Sequence, residues 1–279
     1  MSGKEQSFVD RLQRIDPRVI YGLLIVVLVA PLLRPLGFPI EITPVVQKFH
    51  ATIETLKPGD VVFYAFEFGA GDYPEAEGAG IAVKRHLFAK GVRIVFATTN
   101  DQAVLVLQKS LQSAGIPSDR KYGVDWVFLG YIPGAETAIA ALAADMHTAA
   151  KKDHYGTPVE QLPLMKEVRS VKDIELLIVE GGGTETPTQF VRQWYAPYKA
   201  RYLQICISVV GPTLQPFVGA GQIIAMVVGA SGGAQYELLI RRPGIAVAGM
   251  DAQAFGHVLV ILFIVIGNVA YLASKRMRK

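Results

Sequence analysis

The sequence has a single cysteine, Cys206, which lies in the apolar run ICISVV, so an intrachain disulfide is impossible. It has no G-x-G-x-x-G after its first predicted strand and no G-x-x-x-x-G-K-[ST] pattern, which argues against a dinucleotide site and a P-loop. It shows no internal repeat and no low-complexity tract. We therefore predict no cofactor.

Candidate metal ligands are also few. Asp145, His147, Asp153 and His154 are close in sequence, but their spacings match no zinc signature, and a polar helix end followed by a solvated loop explains them. His50 and His86 stand alone in the sequence and are interpreted as ordinary, partly exposed histidines. We predict no metal site.

The centre of the chain has no net positive charge. The formal net charge is +4, but segment 1–18 contributes +1 and segment 275–279 contributes +4, which leaves −1 for the residues between them. The basic character therefore belongs to the two ends and does not form a binding face, so nucleic acid is not an expected partner.

Two apolar stretches, one near each end, organise the chain. Phe255–Ser274 carries no formal charge, and about 20 residues at 1.5 Å rise cover a bilayer core of roughly 30 Å. Val19–Ile40 is similar in length but contains Arg34, which snorkels toward headgroups. We predict transmembrane helices over 19–40 and 255–274, a short amphipathic segment over 1–18 and a basic tail over 275–279.

The charges beside these stretches predict an orientation. Lys and Arg are concentrated at the two termini, and the positive-inside rule places such segments in the cytoplasm. We predict a two-pass protein of the cell (inner) membrane, with both termini cytoplasmic and residues 41–254 extracytoplasmic. A cleaved signal peptide is the alternative for the first stretch, but Pro31 follows the only small-residue candidate at Ala30. The opposite topology is a second alternative.

Residues 41–254 alternate short β-branched runs with helical patterns. Runs without clean alternation are typical of strands covered on both faces of a parallel sheet. We predict a doubly wound, Rossmann-like α/β domain with a mainly parallel sheet of about six strands. The candidate strands are 60–66, 92–98, 125–129, 174–179, 203–210 and 223–228. Segment 151–173 interrupts the pattern and is interpreted as an insertion, a lid or a docking surface.

One stretch has the look of a known family. Val210–Glu237 runs from a strand end through a short helix, a Gly-Gln turn, an apolar strand and a small-residue turn into a helix. It resembles the last α-β-α unit of type I periplasmic-binding-protein domains. The resemblance covers about a tenth of the chain and implies a binding domain outside the membrane, without assigning a ligand residue.

Polar residues follow the predicted strands at their carboxyl ends, where ligands of open parallel sheets collect. Acids and hydroxyls there are suited to a polyol or an amine, whereas turns and helix caps explain the same residues without a ligand. The residues of this candidate crevice are Glu67, Asp72, Tyr73, Thr99, Asn100, Asp101, Tyr131, Glu180, Thr184 and Thr213.

Gly229–Gly233 reads G-x-S-x-G between an apolar strand and a helix, which is the context of a nucleophile elbow around Ser231. Asp251 and His257 follow in the chain order of a catalytic triad, but both lie at the entrance of the second apolar stretch. Close packing between helix and strand explains the small residues equally. A membrane-anchored serine hydrolase is therefore kept as an alternative.

Polar and small residues inside the apolar stretches predict association between helices. Asn268 is costly against lipid, and Gly22, His257 and Gly267 are the other small or polar members. We predict a non-catalytic membrane-anchored protein that acts as a structural, scaffold or ligand-binding subunit of a larger assembly. Its partners would be the lipid bilayer, other membrane subunits or copies of itself, and a small-molecule ligand. A solute-binding receptor of a transporter is the other alternative.

Overall fold

The computed structural model of the chain describes residues 16–277. The predicted amphipathic segment 1–18 lies largely outside the described residues, as does the end of the basic tail. The chain divides into two compact units. One is the α/β domain, Ile40–Ala246, and the other is formed by the flanking residues, which we call the helical unit.

Within the described residues, the α/β domain is built on one sheet of six parallel strands in the order β3-β2-β1-β4-β5-β6. The strands are β1 Val61–Glu67, β2 Arg93–Thr98, β3 Trp126–Tyr131, β4 Leu176–Gly181, β5 Tyr202–Cys206 and β6 Ala225–Val228. This confirms the predicted α/β class and the number of strands, and every pairing is parallel. The fifth strand ends at Cys206, four residues before its predicted end, because 207–210 form a turn into the next helix.

Helices connect the strands and cover the sheet. Those before β4 are α2 Pro44–Glu54, α3 Tyr73–Lys90, α4 Ala103–Ala114, α5 Glu136–Ala144, α6 Met146–Ala149 and α7 Pro163–Glu167. Those after β4 are α8 Glu185–Phe190, the π-helical turn Val191–Tyr195, α9 Ala196–Tyr198, α10 Gly211–Gly219 and α11 Gly229–Leu239. Short 3₁₀ turns at Val159–Gln161 and Val171–Asp173 lie in the predicted insertion.

Each face of the sheet is packed against its own hydrophobic core. Along β1, Phe63 belongs to the core shared with α5 and the insertion, whereas Tyr64 belongs to the core shared with α2, α3, α4 and α11. All seven residues of β1 are buried. A strand covered on both faces carries apolar residues at nearly every position, which is why the sequence shows continuous runs.

The helical unit contains α1, Pro17–Leu33, and most of α12, Ile245–Met277. Among the described residues, one helix is long and apolar enough to cross a membrane, Ile245–Lys275 with 31 residues. At 1.5 Å per residue these cover about 46 Å, more than the bilayer core requires. The apolar helix α1 has 17 residues, about 25 Å, so the predicted second crossing stays a prediction.

Asp251 ties the two parts of the helical unit together. Its buried carboxylate accepts hydrogen bonds from the backbone N–H groups of Leu36, Gly37 and Phe38 at 2.7, 2.8 and 3.0 Å. The rings of Phe38 and Phe255 meet edge to face at 5.0 Å. Three N–H donors satisfy the hydrogen-bonding capacity of this buried carboxylate. Charge-assisted hydrogen bonds therefore hold the loop after α1 against α12.

The residues predicted to mediate helix packing lie along these two helices. His257, Gly267 and Asn268 are exposed on α12, and the Asn268 amide donates to the Ile264 carbonyl of its own helix at 2.9 Å. Gly22 on α1 has open space where a side chain would lie. The predicted association through these positions stays a prediction.

Candidate functional site

The sheet reverses its winding between β1 and β4. The chain proceeds from β1 toward β2 and β3 on one side, and from β4 toward β5 and β6 on the other. The connections that leave the carboxyl ends of β1 and β4 therefore run to opposite sides of the sheet, and open parallel sheets commonly bind ligands at such a switch point. We call this region, bordered by residues 67–75, 181–184 and 208, the strand-end site.

Gly182 brings the two loops of the strand-end site together. A Cβ built on Gly182 would lie 2.5 Å from Oδ2 of Asp72, so a larger residue would displace the Asp72 carboxylate. Asp72 is exposed and directly precedes α3. Glycine at this position thus allows an acidic side chain from the first loop to lie against the backbone of the second.

Glu67, the last residue of β1, is buried at the base of the strand-end site. Its carboxylate accepts hydrogen bonds from the Thr99 N–H at 2.9 and 3.1 Å and from the Thr99 hydroxyl at 3.0 Å. Burial nevertheless raises the pKa of Glu67 to about 7, because desolvation of the charged form outweighs these donors. A carboxyl group that titrates near neutrality is able to take up or release a proton there.

Glu75 and Ser208 connect opposite sides of the switch point. Glu75, in the first turn of α3, accepts hydrogen bonds through Oε1 from the Ser208 N–H at 2.7 Å and the Ser208 hydroxyl at 2.5 Å. Gly229, with φ of +59°, leaves the space that this pair occupies. The contact joins the loop after β5 to the helix after β1.

The structure brings several of the predicted crevice residues together. Glu67 and Thr99 are hydrogen-bonded, and the Asn100 amide donates to the Glu67 carbonyl oxygen at 3.3 Å. Asp72 lies against Gly182, and Thr184 is the residue before α8. These predicted positions border the switch point.

Other predicted residues lie apart from this group or are enclosed. Asp101 and Tyr131 are exposed at the ends of β2 and β3, and Thr213 is exposed on α10. Tyr73 is buried, and desolvation raises the pKa of its hydroxyl, so it stays protonated. Glu180 has no exposed surface and faces the interior beneath α3.

Glu180 takes part in a buried polar group that the sequence did not predict. Its Oε2 accepts hydrogen bonds from the Tyr64 hydroxyl and from Nζ of Lys84, the latter at 2.5 Å. Lys84 is also fully buried, and its ammonium lies 4.7 and 5.0 Å from the ring centroids of Tyr64 and Phe66. A signal existed in the sequence, since Lys84 is a single charge within the buried face of α3.

Ser231 lies in the first turn of α11, where its hydroxyl accepts a hydrogen bond from the Gln235 amide at 3.4 Å. The glycines beside it serve packing. A Cβ on Gly232 would lie 3.2 Å from Val227 Cγ1, and one on Gly233 would lie 2.9 Å from the Ala79 nitrogen. Close approach of α11 to β6 and α3 therefore accounts for the small residues around Ser231.

The residues considered as a metal cluster have other partners. His147 donates through Nε2 to the Met165 carbonyl oxygen at 2.8 Å, and Asp145 caps α6 and pairs with Arg169. Asp153 accepts from the Tyr122 hydroxyl at 2.6 Å, and His154 contacts the Gln108 amide at 2.8 Å. These contacts hold the insertion against the domain.

The two isolated histidines differ in exposure. His50 is partly exposed, as the sequence predicts, whereas His86 is 7% exposed, so the prediction of a partly exposed side chain is wrong for His86. The reason is that α3, which carries His86, packs closely against α11, and α2 belongs to the same hydrophobic core.

The chain matches no model of a protein family and no curated protein. It is similar to a solved crystal structure of a mutant O-ureido-L-serine synthase with O-ureido-L-serine bound. The identity is 14%, over 76% of this chain and 73% of that chain, with a TM-score of 0.24. A likeness at this TM-score supports no inference about fold or function.

Proposed function

We propose that the protein is a non-catalytic, membrane-anchored α/β protein that binds a small ligand at the strand-end site and acts within a larger membrane assembly. The observation that carries the proposal is the sheet order β3-β2-β1-β4-β5-β6, because crevices at such switch points are the usual ligand sites of open parallel sheets. The apolar helix Ile245–Lys275 supports the anchor.

The chemistry of the strand-end site favours a ligand with amine or hydroxyl groups. Asp72 offers an exposed carboxylate, and Glu75 offers a second one beside Ser208. Gly183 has open space where a side chain would lie, so a ligand can approach the backbone closely at this residue. Two carboxylates would repel a phosphate and attract a cation.

A thermal-unfolding screen of the full chain in mild detergent tests the proposal. The probes are polyamines, basic amino acids and monosaccharides, and a ligand at about 100 times its Kd stabilises by about 2.7 kcal/mol, or about 5 °C or more. We expect Asp72→Asn to abolish the stabilisation. Gly182→Ala, which displaces the Asp72 carboxylate, is expected to abolish it as well.

Glu175→Gln is the matched control. Glu175 is an acid just before β4, at the amino-terminal ends of the strands, where it pairs with Arg201 at 2.6 Å, so its loss leaves the strand-end site intact. Stabilisation that persists in both Asp72→Asn and Gly182→Ala would contradict a ligand at this site. Native mass measurement of the detergent-purified protein tests the assembly, for which a monodisperse monomer is the contrary result.

A further inference from the structure

His50 and His86, 36 positions apart in the sequence, are stacked in the structure. Their ring centroids lie 4.9 Å apart with an interplanar angle of 22°. His50 and Glu54 occupy positions i and i+4 of α2 and so share one helix face, while His86 extends from α3. The Glu54 Oε1 atom lies 2.8 Å from Nε2 of His86 and 3.7 Å from Nε2 of His50.

We propose that His50, Glu54 and His86 form a binding site for a divalent transition metal, with zinc as the best-fitting ion. Two imidazole nitrogens and one carboxylate oxygen are a ligand set that zinc accepts, with the fourth position left for an exogenous ligand. The site lies apart from the strand-end site, and its existence does not depend on the function proposed there.

The distances suit this coordination. One ligand atom from each residue lies within 4.8 Å of the other two. Tetrahedral zinc with bonds of about 2.0–2.1 Å holds its ligand atoms about 3.4 Å apart, so the longest separation closes by roughly 1.4 Å at most. His50 and Glu54 are 22% and 47% exposed, which leaves their side chains free to make that movement.

A second contact orients His86 as a metal ligand. Its Nδ1 lies 2.7 Å from the hydroxyl of Tyr236, which is fully buried on α11. Histidine ligands characteristically bond a protein group through the other ring nitrogen, which fixes the ring and leaves Nε2 toward the metal. Burial lowers the pKa of His86, so the imidazole is neutral near pH 7, the form that metals bind.

The three residues line a pocket of about 320 Å³ together with three arginines, Arg85, Arg241 and Arg242. Arg85 is engaged with the carbonyl oxygens of Ser113 and Ala114 at the end of α4. The pocket gives an exogenous ligand room beside the metal, and guanidinium groups around it favour an anion as that fourth ligand.

Lys90 provides an internal test of the assignment. Its ammonium lies 3.1 Å from the second oxygen of Glu54, Oε2, where it lowers the pKa of that carboxylate and repels a cation bound to Oε1. Replacing Lys90 by glutamine removes this charge and keeps the helix. A divalent metal at Glu54 would then be bound up to about tenfold more tightly, as expected when one positive charge about 6 Å from the ion is removed in a high dielectric.

Zinc titration of the full chain in detergent, prepared without a polyhistidine tag, tests the proposal. A chromophoric chelator as competitor gives the Kd, and elemental analysis after dialysis gives the stoichiometry. We expect one zinc per chain, a loss of affinity of about tenfold or more in His86→Ala and in Glu54→Gln, and a gain in Lys90→Gln. Glu54→Gln is the variant least disruptive to folding, because its side chain is half exposed.

His154→Ala is the matched control, since His154 lies in the insertion and contacts Gln108. An unchanged affinity in His154→Ala supports the assignment. The proposal is overturned if zinc binds less than stoichiometrically, if Glu54→Gln binds as wild type, or if Lys90→Gln gains nothing.

Discussion

Nζ of Lys84 lies 2.5 Å from Oε2 of Glu180, and neither side chain has any exposed surface. Lys84 belongs to α3 and Glu180 to β4, so the pair links the helix that follows the central strand to the other half of the sheet. Gly80, one turn before Lys84, leaves the space for the carboxylate, since a Cβ there would collide with it. Two opposite charges in the interior are stable only together.

Lys84→Met is therefore expected to destabilise the protein by about 3–5 kcal/mol, because it leaves the Glu180 carboxylate buried without its cation. Lys84→Met combined with Glu180→Gln removes both charges and is expected to recover much of that loss. Urea unfolding of the full chain, followed through the fluorescence of Trp126 and Trp194, gives the free energies of unfolding. Lys166→Met, on the exposed side of α7, is the control.

The prediction is contradicted if the double variant is no more stable than Lys84→Met. That result would mean that the contacts of the Lys84 ammonium with the rings of Tyr64 and Phe66 determine the loss.

The second prediction concerns the pH dependence of stability. The pKa of Glu67 is about 7 in the folded state against an ordinary value of 4.5, so the folded state binds the proton more tightly than the unfolded state. The stability that this group contributes is fully present below pH 4.5 and is lost as pH rises to about 7. The difference corresponds to about 3 kcal/mol.

Glu67→Gln, which remains neutral, is expected to become more stable relative to wild type as pH rises through this window. The measurement is urea unfolding at about pH 4.5, 6 and 8, read as the difference between variant and wild type, so that the titration of His86 cancels. Glu175→Gln, at a half-exposed position just before β4, controls for the loss of one carboxylate. A difference that is constant with pH would show that folding does not raise the pKa of Glu67.

A third prediction concerns the loop after α1. Asp251→Asn retains an acceptor but loses the charge that engages three N–H groups, so the amides of Leu36, Gly37 and Phe38 are expected to exchange with deuterium about tenfold faster. Asp16→Asn, which changes the cap of α1 in the same unit, is expected to leave these amides unchanged. Equal exchange in both variants would contradict the role assigned to Asp251.

The strands were predictable because each is buried on both faces, which leaves a continuous apolar run in the sequence. Their carboxyl ends were predictable for the same reason, and Glu67 and Thr99 do meet there. The pairing of Lys84 with Glu180 could not be predicted, because it depends on β1 lying beside β4. No local sequence pattern determines the order of the strands in the sheet.

The contact between the two histidines was missed for a related reason. His50 and His86 meet because α2 and α3 pack on the same face of the sheet, whereas sequence signatures for metals require short spacings. The start of α12 also lies at Ile245, earlier than the predicted 255, because the apolar pattern of the sequence marks only the uncharged part of this helix. The preceding residues, including Asp251, are helical but make polar contacts.

The last prediction tests the membrane topology by labelling introduced cysteines, which is straightforward because the sequence has a single cysteine, Cys206. This only cysteine is fully buried in β5, and burial raises the pKa of its thiol to about 12, so almost no reactive thiolate exists at neutral pH. A cysteine introduced at an exposed position would therefore be the only one that a membrane-impermeant maleimide labels. We expect Lys151→Cys, on the exposed insertion, to be labelled in intact cells.

Lys275→Cys, at the end of α12, is expected to be labelled only after the membrane is permeabilised, because the positive-inside rule predicts a cytoplasmic position for it. Wild type, with Cys206 alone, is the background control and is expected to remain unlabelled in both conditions. Labelling of Lys275→Cys but not Lys151→Cys in intact cells would reverse the orientation. Labelling of one position in intact cells and the other only after permeabilisation requires one crossing between them, which Ile245–Lys275 is long and apolar enough to supply.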